Sequence, residues 1–178
     1  MYRLILILFI GLLLTPSNIK GKSYNPDLLY KEKLIRSVWL SKNSETANRQ
    51  RLSIGLIQGK CDVANTLVTF YSSKPLSDVR RIEEKSIMAK FGDQRIITQI
   101  LYAVEDTVGT VIWIDLGWKK IDDFKRFFYS KPLLTLRLES GEDFVLDDYF
   151  SLRQNTWKMD GIDEALDKAF NICEKFRI

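Results

Sequence analysis

The feature of this 178-residue chain that most restricts its fold is a series of three β-rich runs in its middle. They cover residues 80–91, 95–104 and 107–116, with Gly92-Asp93 and Glu105-Asp106 between them. Short connections of this kind join antiparallel strands in hairpins. We therefore predict an antiparallel meander. Alternating or β-branched patterns predict further strands at 52–57, 67–71, 134–138, 144–146 and 149–152.

Two helices accompany this predicted sheet. A short mid-chain helix is predicted from Ile121 to Tyr129, and Pro132 blocks its continuation. A last helix follows Asp160, which we expect to cap it, and its apolar face must cover the sheet. This face consists of Ile162, Ala165, Leu166, Ala169 and Cys173. The predicted class is α+β, an antiparallel sheet or sandwich with a mid-chain helix and a C-terminal helix. Residues 28–39 fit either a helix or a strand.

The amino terminus has the three parts of a secretory signal. Arg3 precedes an apolar run at 4–14, and the small residues around Thr15-Pro16-Ser17 follow. The apolar run is about half of the roughly 20 residues that span a bilayer. We expect residues 1–23 to be a signal peptide and residues 24–178 to be one globular domain, located in the periplasm or secreted.

Two cysteines remain after export, Cys61 and Cys173. An even count in an oxidising compartment favours pairing, so we expect one disulfide between the early part of the fold and its last helix. Closure of such a long loop stabilises a domain by about 4–5 kcal/mol in the chain-entropy model. A redox-active thiol is disfavoured, because the chain has no Cys-x-x-Cys motif.

Several classes of chemistry are excluded by composition. The chain contains no histidine, which removes His-based nucleophile systems and metal sites. Its glycines form no phosphate-binding loop. The 27 Lys and Arg are interspersed with 23 Asp and Glu, unlike the clustered charge of nucleic-acid surfaces. We expect no cofactor, no metal, no nucleic-acid partner and no integral membrane span.

Three carboxylate pairs could supply an acid and a base for glycan hydrolysis: Asp122-Asp123, Glu142-Asp143 and Asp147-Asp148. Adjacent residues of a strand face opposite ways, so no pair acts together by itself. Each pair also flanks a predicted element, where acids are ordinary turn and cap residues. The sequence therefore favours an absence of catalytic residues.

An aromatic and basic cluster is the candidate partner-binding site. Aromatic anchors beside cationic side chains are typical of protein interfaces. We expect most of these aromatics, Trp113 and the Phe residues at 124–128 among them, to belong to the core instead. Those expected to be exposed and to bind a partner are Trp118, Lys119, Lys120, Lys125, Arg126 and Tyr129.

The carboxyl-terminal half carries a resemblance. The sequence Gly161-Ile162-Asp163-Glu164-Ala165-Leu166 follows Phe150-Ser151-Leu152 and strands ending near Asp115 and Leu138, and it precedes Cys173. This resembles small exported proteobacterial proteins of the invasion-associated locus B type. The plan of signal, β-rich domain and one disulfide is also similar to periplasmic immunity proteins and enzyme inhibitors. Neither resemblance implies an enzyme.

These observations lead to one functional expectation and two alternatives. We expect a non-catalytic exported protein that binds a protein partner, as a periplasmic inhibitor or immunity-type protein does. The first alternative is a secreted virulence-associated factor of the invasion-associated locus B type. The second is a carboxylate-dependent hydrolase of cell-wall glycan.

Overall fold

The computed structural model describes residues 28–31, 36–47, 50–128, 132–139 and 144–176, and side chains from residue 37 onwards. The predicted signal peptide lies outside these residues. The strands are β1 (Leu28–Lys31), β2 (Arg36–Asn43), β3 (Arg51–Ile57), β4 (Lys60–Ser72), β5 (Ser86–Phe91), β6 (Gln94–Asp106), β7 (Gly109–Lys120), β8 (Leu133–Glu139) and β9 (Gln154–Lys158). The α-helices are α1 (Leu76–Val79), α2 (Ile121–Phe128) and α3 (Ile162–Glu174), and 3₁₀ turns lie at Arg80–Ile82 and Leu146–Asp148.

All nine strands belong to one antiparallel sheet in the order β1-β2-β3-β4-β7-β6-β5-β8-β9. The sheet curls until its last strand reaches the second. The Glu45 N–H, just after β2, donates a 2.7 Å hydrogen bond to the Thr156 carbonyl of β9. Strands β2 to β9 therefore form a near-barrel, and β1 extends its edge beside β2.

The concave side of this sheet, here called the inner face, holds the hydrophobic core. Its strands alternate in burial, so Ile112, Ile114 and Leu116 of β7 are buried together with Val68 and Phe70 of β4. Helix α3 covers this face and packs on β2, β3 and β4 with its predicted apolar residues. The α+β class with a mid-chain helix and a C-terminal helix is confirmed.

A disulfide fixes α3 to the sheet. Cys61 in β4 is bonded to Cys173 near the end of α3, with 5.7 Å between their Cα atoms and 112 residues between them in sequence. Both side chains are fully buried. The predicted pairing is confirmed, and the bond lies inside the core, away from solvent.

A buried polar cluster joins the two strands where the near-barrel closes. The Asn155 amide of β9 donates to Gln50 Oε1. Asn155 Oδ1 accepts hydrogen bonds from Ser44 Oγ at 3.1 Å and Thr46 Oγ1 at 2.9 Å. Both amides are buried and satisfied, so this cluster holds the 44–50 loop against β9.

Two strand predictions were wrong for the same physical reason. The first part of the 80–91 run is a 3₁₀ turn, because Val79 and Ile82 are anchored in the core at helical spacing. Residues 144–152 are likewise not a strand. Leu146 and Phe150 are both buried at helical spacing, and the Phe150 ring meets Phe70 edge-on with 6.0 Å between ring centroids.

The ends of the chain's later elements also differ from expectation. The last strand is β9, in which the buried residues Asn155 and Trp157 alternate with polar ones. The sequence did not predict this strand because it contains few apolar residues. Gly161, not Asp160, occupies the cap position of α3, with a left-handed φ of 69°. A left-handed backbone favours glycine over any side-chain cap at this point.

At the start of the described chain, where the sequence fitted either a helix or a strand, residues 28–31 and 36–43 are strands.

Candidate functional site

Two β-bulges determine which side chains reach the convex side of the sheet, here called the outer face. In β7, Asp115 pairs with Leu67 but Trp118 pairs with Asn65, so β7 contains one extra residue. Gly117 supplies the left-handed φ of 85° in this bulge, and its N–H donates to Asp115 Oδ1 at 2.8 Å. The bulge turns Trp118 to the outer face, whereas strict alternation would point it inward.

The second bulge lies in the neighbouring strand β6. Ile100 pairs with Ile114, while Tyr102 pairs with Trp113, so Leu101 is the extra residue. The shift brings Tyr102 to the outer face beside Trp113. The two rings stack with 5.8 Å between centroids and an interplanar angle of 26°.

The outer face of β6 and β7 is apolar around Tyr102 and Trp113, and the polar pair Gln99 and Asp115 lies between these rings and Trp118. Tyr102 is 44 % exposed, Val104 41 % and Ile97 74 %. Val104 pairs with Val111, and Tyr71 of β4 lies on the other side of Val111. We call Tyr71, Tyr102, Val104, Val111 and Trp113 the outer patch.

Part of the predicted binding cluster borders this patch. Trp118 is 45 % exposed, as expected, and the Lys60 Nζ lies 5.8 Å from its ring centroid. Lys119 is half-buried and pairs with Ala64, while Lys120 is exposed. Lys60 and Lys120 thus lie on the side of the exposed indole at the end of β7, whereas Lys119, which was expected to be exposed, projects to the inner face beside Ala64.

The other predicted members bind carboxylates within the chain. Lys125 of α2 forms an ion pair with Asp167 of α3, which joins the two helices. Arg126 pairs with Asp123 one turn earlier, and its Nε also donates to the Asp122 carbonyl at 3.4 Å. Their charges are balanced locally, so they contribute less to a cationic surface. Tyr129 lies outside the described residues.

The expectation that Trp113 belongs to the core was wrong. Trp113 is half-buried on the outer face, because its neighbours Ile112 and Ile114 take the inner positions of the same strand. Both faces of this strand are apolar, so composition alone could not distinguish them. The sequence analysis did not identify Tyr102 and Val104 as outer-face residues. Their outward position depends on the β6 bulge, which no pattern in the sequence indicates.

The described carboxylate pairs are part of the surface. Asp147 is bonded by the guanidinium of Arg153, and Asp123 by Arg126. Asp122 and Asp148 are exposed. Glu142 and Asp143 lie outside the described residues. No group of three or more Cys, Asp or Glu that could hold a metal ion occurs in the part of the chain that the structure describes.

One lysine has a perturbed acidity. Burial lowers the pKa of Lys42 below its ordinary value of 10.5, while the nearby charges of Asp160 and Glu45 raise it. Its Nζ donates to the Asp160 carbonyl at 2.7 Å. Lys42 therefore holds the turn before α3.

Comparison of the chain with models of protein families, with curated proteins and with solved structures finds no match. The resemblance to the invasion-associated locus B type therefore stays a prediction. Among the described helices, none is long and apolar enough to cross a membrane.

Proposed function

We propose that this chain is an exported, non-catalytic protein of the periplasmic inhibitor or immunity type, which binds a partner protein through its outer patch. The observation that carries the proposal is the exposure of Tyr102 and Val104 on a face that the core does not use. Clustered aromatic and aliphatic side chains on a surface mark interaction sites.

The composition of the surface supports a protein partner. Interfaces combine an apolar, aromatic centre with a polar or charged border. The outer patch supplies the centre, and Trp118 with Lys60 and Lys120 supplies a cationic part of the border. A border of this charge favours a partner with an acidic surface and speeds its association.

The scaffold suits this role. Both aromatics of the Tyr102–Trp113 pair lie on paired strands of a closed sheet, which limits the side-chain and backbone freedom lost on binding. The buried disulfide gives the fold stability without requiring a partner. A preorganised, stable surface is the property that an extracytoplasmic inhibitor needs.

The test compares capture by three forms of the disulfide-bonded protein from a lysate of its own source. Wild type should retain one stoichiometric protein, and Tyr102→Ser combined with Val104→Ser should lose it. Leu133→Ser is the matched control, because Leu133 is 51 % exposed on β8 and lies outside the patch. Capture that survives the double change, or is lost equally in the control, would contradict the proposal.

The purified partner then tests the inhibitor role itself. If the partner is an enzyme or toxin, one equivalent of wild type should abolish its activity, and the double variant should not. Detection of the protein in the periplasmic extract supports this proposal over the virulence alternative, which predicts detection outside the cell.

A further inference from the structure

A second feature of the outer face lies beside the outer patch, in a row that crosses four strands. Trp39 of β2 pairs with Gly55 of β3, Gly55 with Asn65 of β4, and Asn65 with Trp118 of β7. All four therefore project on the same side of the sheet. Two indoles stand at the ends of this row, with a glycine and an amide between them.

Trp39 lies flat against the sheet. A Cβ placed on Gly55 would meet three atoms of its six-membered ring at 2.6–2.7 Å, so the ring presents a face to Gly55. Its Nε1 donates to Ser37 Oγ at 3.0 Å, which fixes the orientation of the indole. The opposite face of the ring therefore points away from the sheet. Gly55 is the residue that permits this arrangement.

The amide between the two indoles is incompletely bonded. Asn65 is 9 % exposed, and its Oδ1 is buried with no hydrogen-bond partner among the described residues. Buried polar groups are nearly always paired, so an orphan acceptor at this position indicates a missing donor. For a ligand to reach this acceptor, the Asn65 amide or the Trp118 indole opposite it has to move.

We infer that this row, Trp39, Gly55, Asn65 and Trp118, binds a linear glycan that carries carboxylate groups. The electron-rich faces of indoles attract the polarised C–H groups of a sugar ring. A sugar hydroxyl supplies the donor that Asn65 lacks. The Lys60 Nζ beside Trp118 and the exposed Lys120 are placed to meet carboxylates.

The size of the row fits an oligosaccharide rather than a single sugar. Three strand spacings of about 4.8 Å separate β2 from β7, so the backbones that carry the two indoles are roughly 14 Å apart. A nearly planar chain of sugars lies across such a surface, with one ring on each indole.

The site shares Trp118, Lys60 and Lys120 with the border of the outer patch but none of the five residues of the patch itself, so glycan titration tests it without the protein partner. The test is calorimetric titration of the disulfide-bonded protein with hyaluronan hexasaccharide, a linear carboxylated glycan, and with uncharged chitohexaose. Wild type should bind the acidic glycan at least tenfold more tightly at low salt, and this difference should shrink at high salt. Equal affinities at low salt would overturn the assignment to an acidic glycan.

Variants locate the binding. Trp118→Ala and Trp39→Ala should each weaken binding at least tenfold, whereas Trp113→Ala, which removes an indole of the same face from outside the row, should not. Equal loss in Trp113→Ala, or no heat with wild type at millimolar glycan, would overturn the inference. If Trp39→Ala melts below the assay temperature, Trp118→Ala decides the result alone.

Asn65→Leu separates a binding role from a structural one. Removal of an orphan acceptor with little change in volume should leave the melting temperature unchanged or raised. Binding should fall at least fivefold in the same variant. A wild-type affinity in Asn65→Leu would contradict the role of the amide, and a lowered melting temperature with unchanged affinity would assign the residue to the fold.

Discussion

The two faces of the same sheet differ in what their side chains accomplish. On the inner face of β7, Ile112 and Ile114 are fully buried within the near-barrel. On the outer face of this strand, Trp113 is only half-buried and stacks on Tyr102, which is largely exposed. Both sets are apolar, but burial in the core explains the apolar character of the inner set alone.

The difference teaches that apolar residues have to be sorted by face before a function is assigned to them. Burial explains the inner residues, since each contributes about 1.5–3 kcal/mol relative to exposure. The outer residues forgo much of that gain. Their exposure on a surface that two bulges build is what points to binding.

The largest expected effect on stability is that of removing the disulfide that fixes α3 to the inner face of the sheet. Cys61→Ser or Cys173→Ser should lower the free energy of unfolding by about 4–5 kcal/mol, because each removes the same 112-residue constraint. Urea unfolding measures this loss. The double variant should match the single ones, and a larger loss in the double variant would show that the two thiols act separately.

A pair of neighbouring positions compares the faces directly. Phe70→Ala removes a fully buried inner ring and should cost about 3–5 kcal/mol. Trp113→Ala, on the opposite side of the adjacent strand, should cost less than about half as much, since its ring is half-exposed. Equal losses in urea unfolding would show that the outer ring is a core residue after all.

Disruption of the polar cluster that closes the near-barrel should have an intermediate effect on stability. Asn155→Ala leaves the buried Gln50 amide and two hydroxyls without their partner and should cost about 1–3 kcal/mol. Gln154→Ala is the control, because Gln154 is exposed on the same strand and its change should stay within about 0.5 kcal/mol. Thermal unfolding of the two variants measures the contrast.

A smaller effect tests the β7 bulge. Gly117→Ala places a side chain at a φ of 85° and should cost about 1–2 kcal/mol. Gly161→Ala carries the same strain at the start of α3, also with open space around the added Cβ. Binding to the captured partner should weaken in Gly117→Ala, which disturbs Trp118, but not in Gly161→Ala. Equal weakening would mean that stability alone controls binding.

The smallest effect is a pH dependence. Because the pKa of folded Lys42 lies below 10.5, the unfolded chain binds more protons between the two values, and stability from this group rises with pH there. The gain should stay under about 1 kcal/mol, since the group is largely solvated. Lys42→Met should lack this rise between the lowered pKa and 10.5 when unfolding is followed against pH. The same slope in both proteins would show that Lys42 does not contribute.

The sequence predicted the meander, both main helices and the disulfide, because hairpin connections, helical spacing and the cysteine count are local signals. It did not reveal β9, since alternation around Asn155 and Trp157 involves polar residues that are buried only by closure of the sheet. Burial of Leu146 and Phe150 likewise depends on distant strands. These are properties of the tertiary structure and leave little trace in a local pattern.

The candidate site was predictable only in part. Trp118 and Lys120 are exposed as predicted, because an aromatic residue next to charges at the end of a strand indicates exposure, whereas Lys119 is half-buried. The outer patch was not predicted, because a bulge at Leu101 reverses the faces of β6 and no residue type at this point indicates a bulge. At Gly117 the glycine was visible, but its role depends on the ladder with β4.

The most direct test of the account is the affinity of the captured partner for Tyr102→Ser with Val104→Ser, measured where both proteins are fully folded. Loss of two interface anchors should weaken binding by at least about 30-fold. The melting temperature should stay close to that of wild type, as expected for exposed positions. Unchanged affinity in this variant would contradict the claim that the outer face of the sheet is the binding surface.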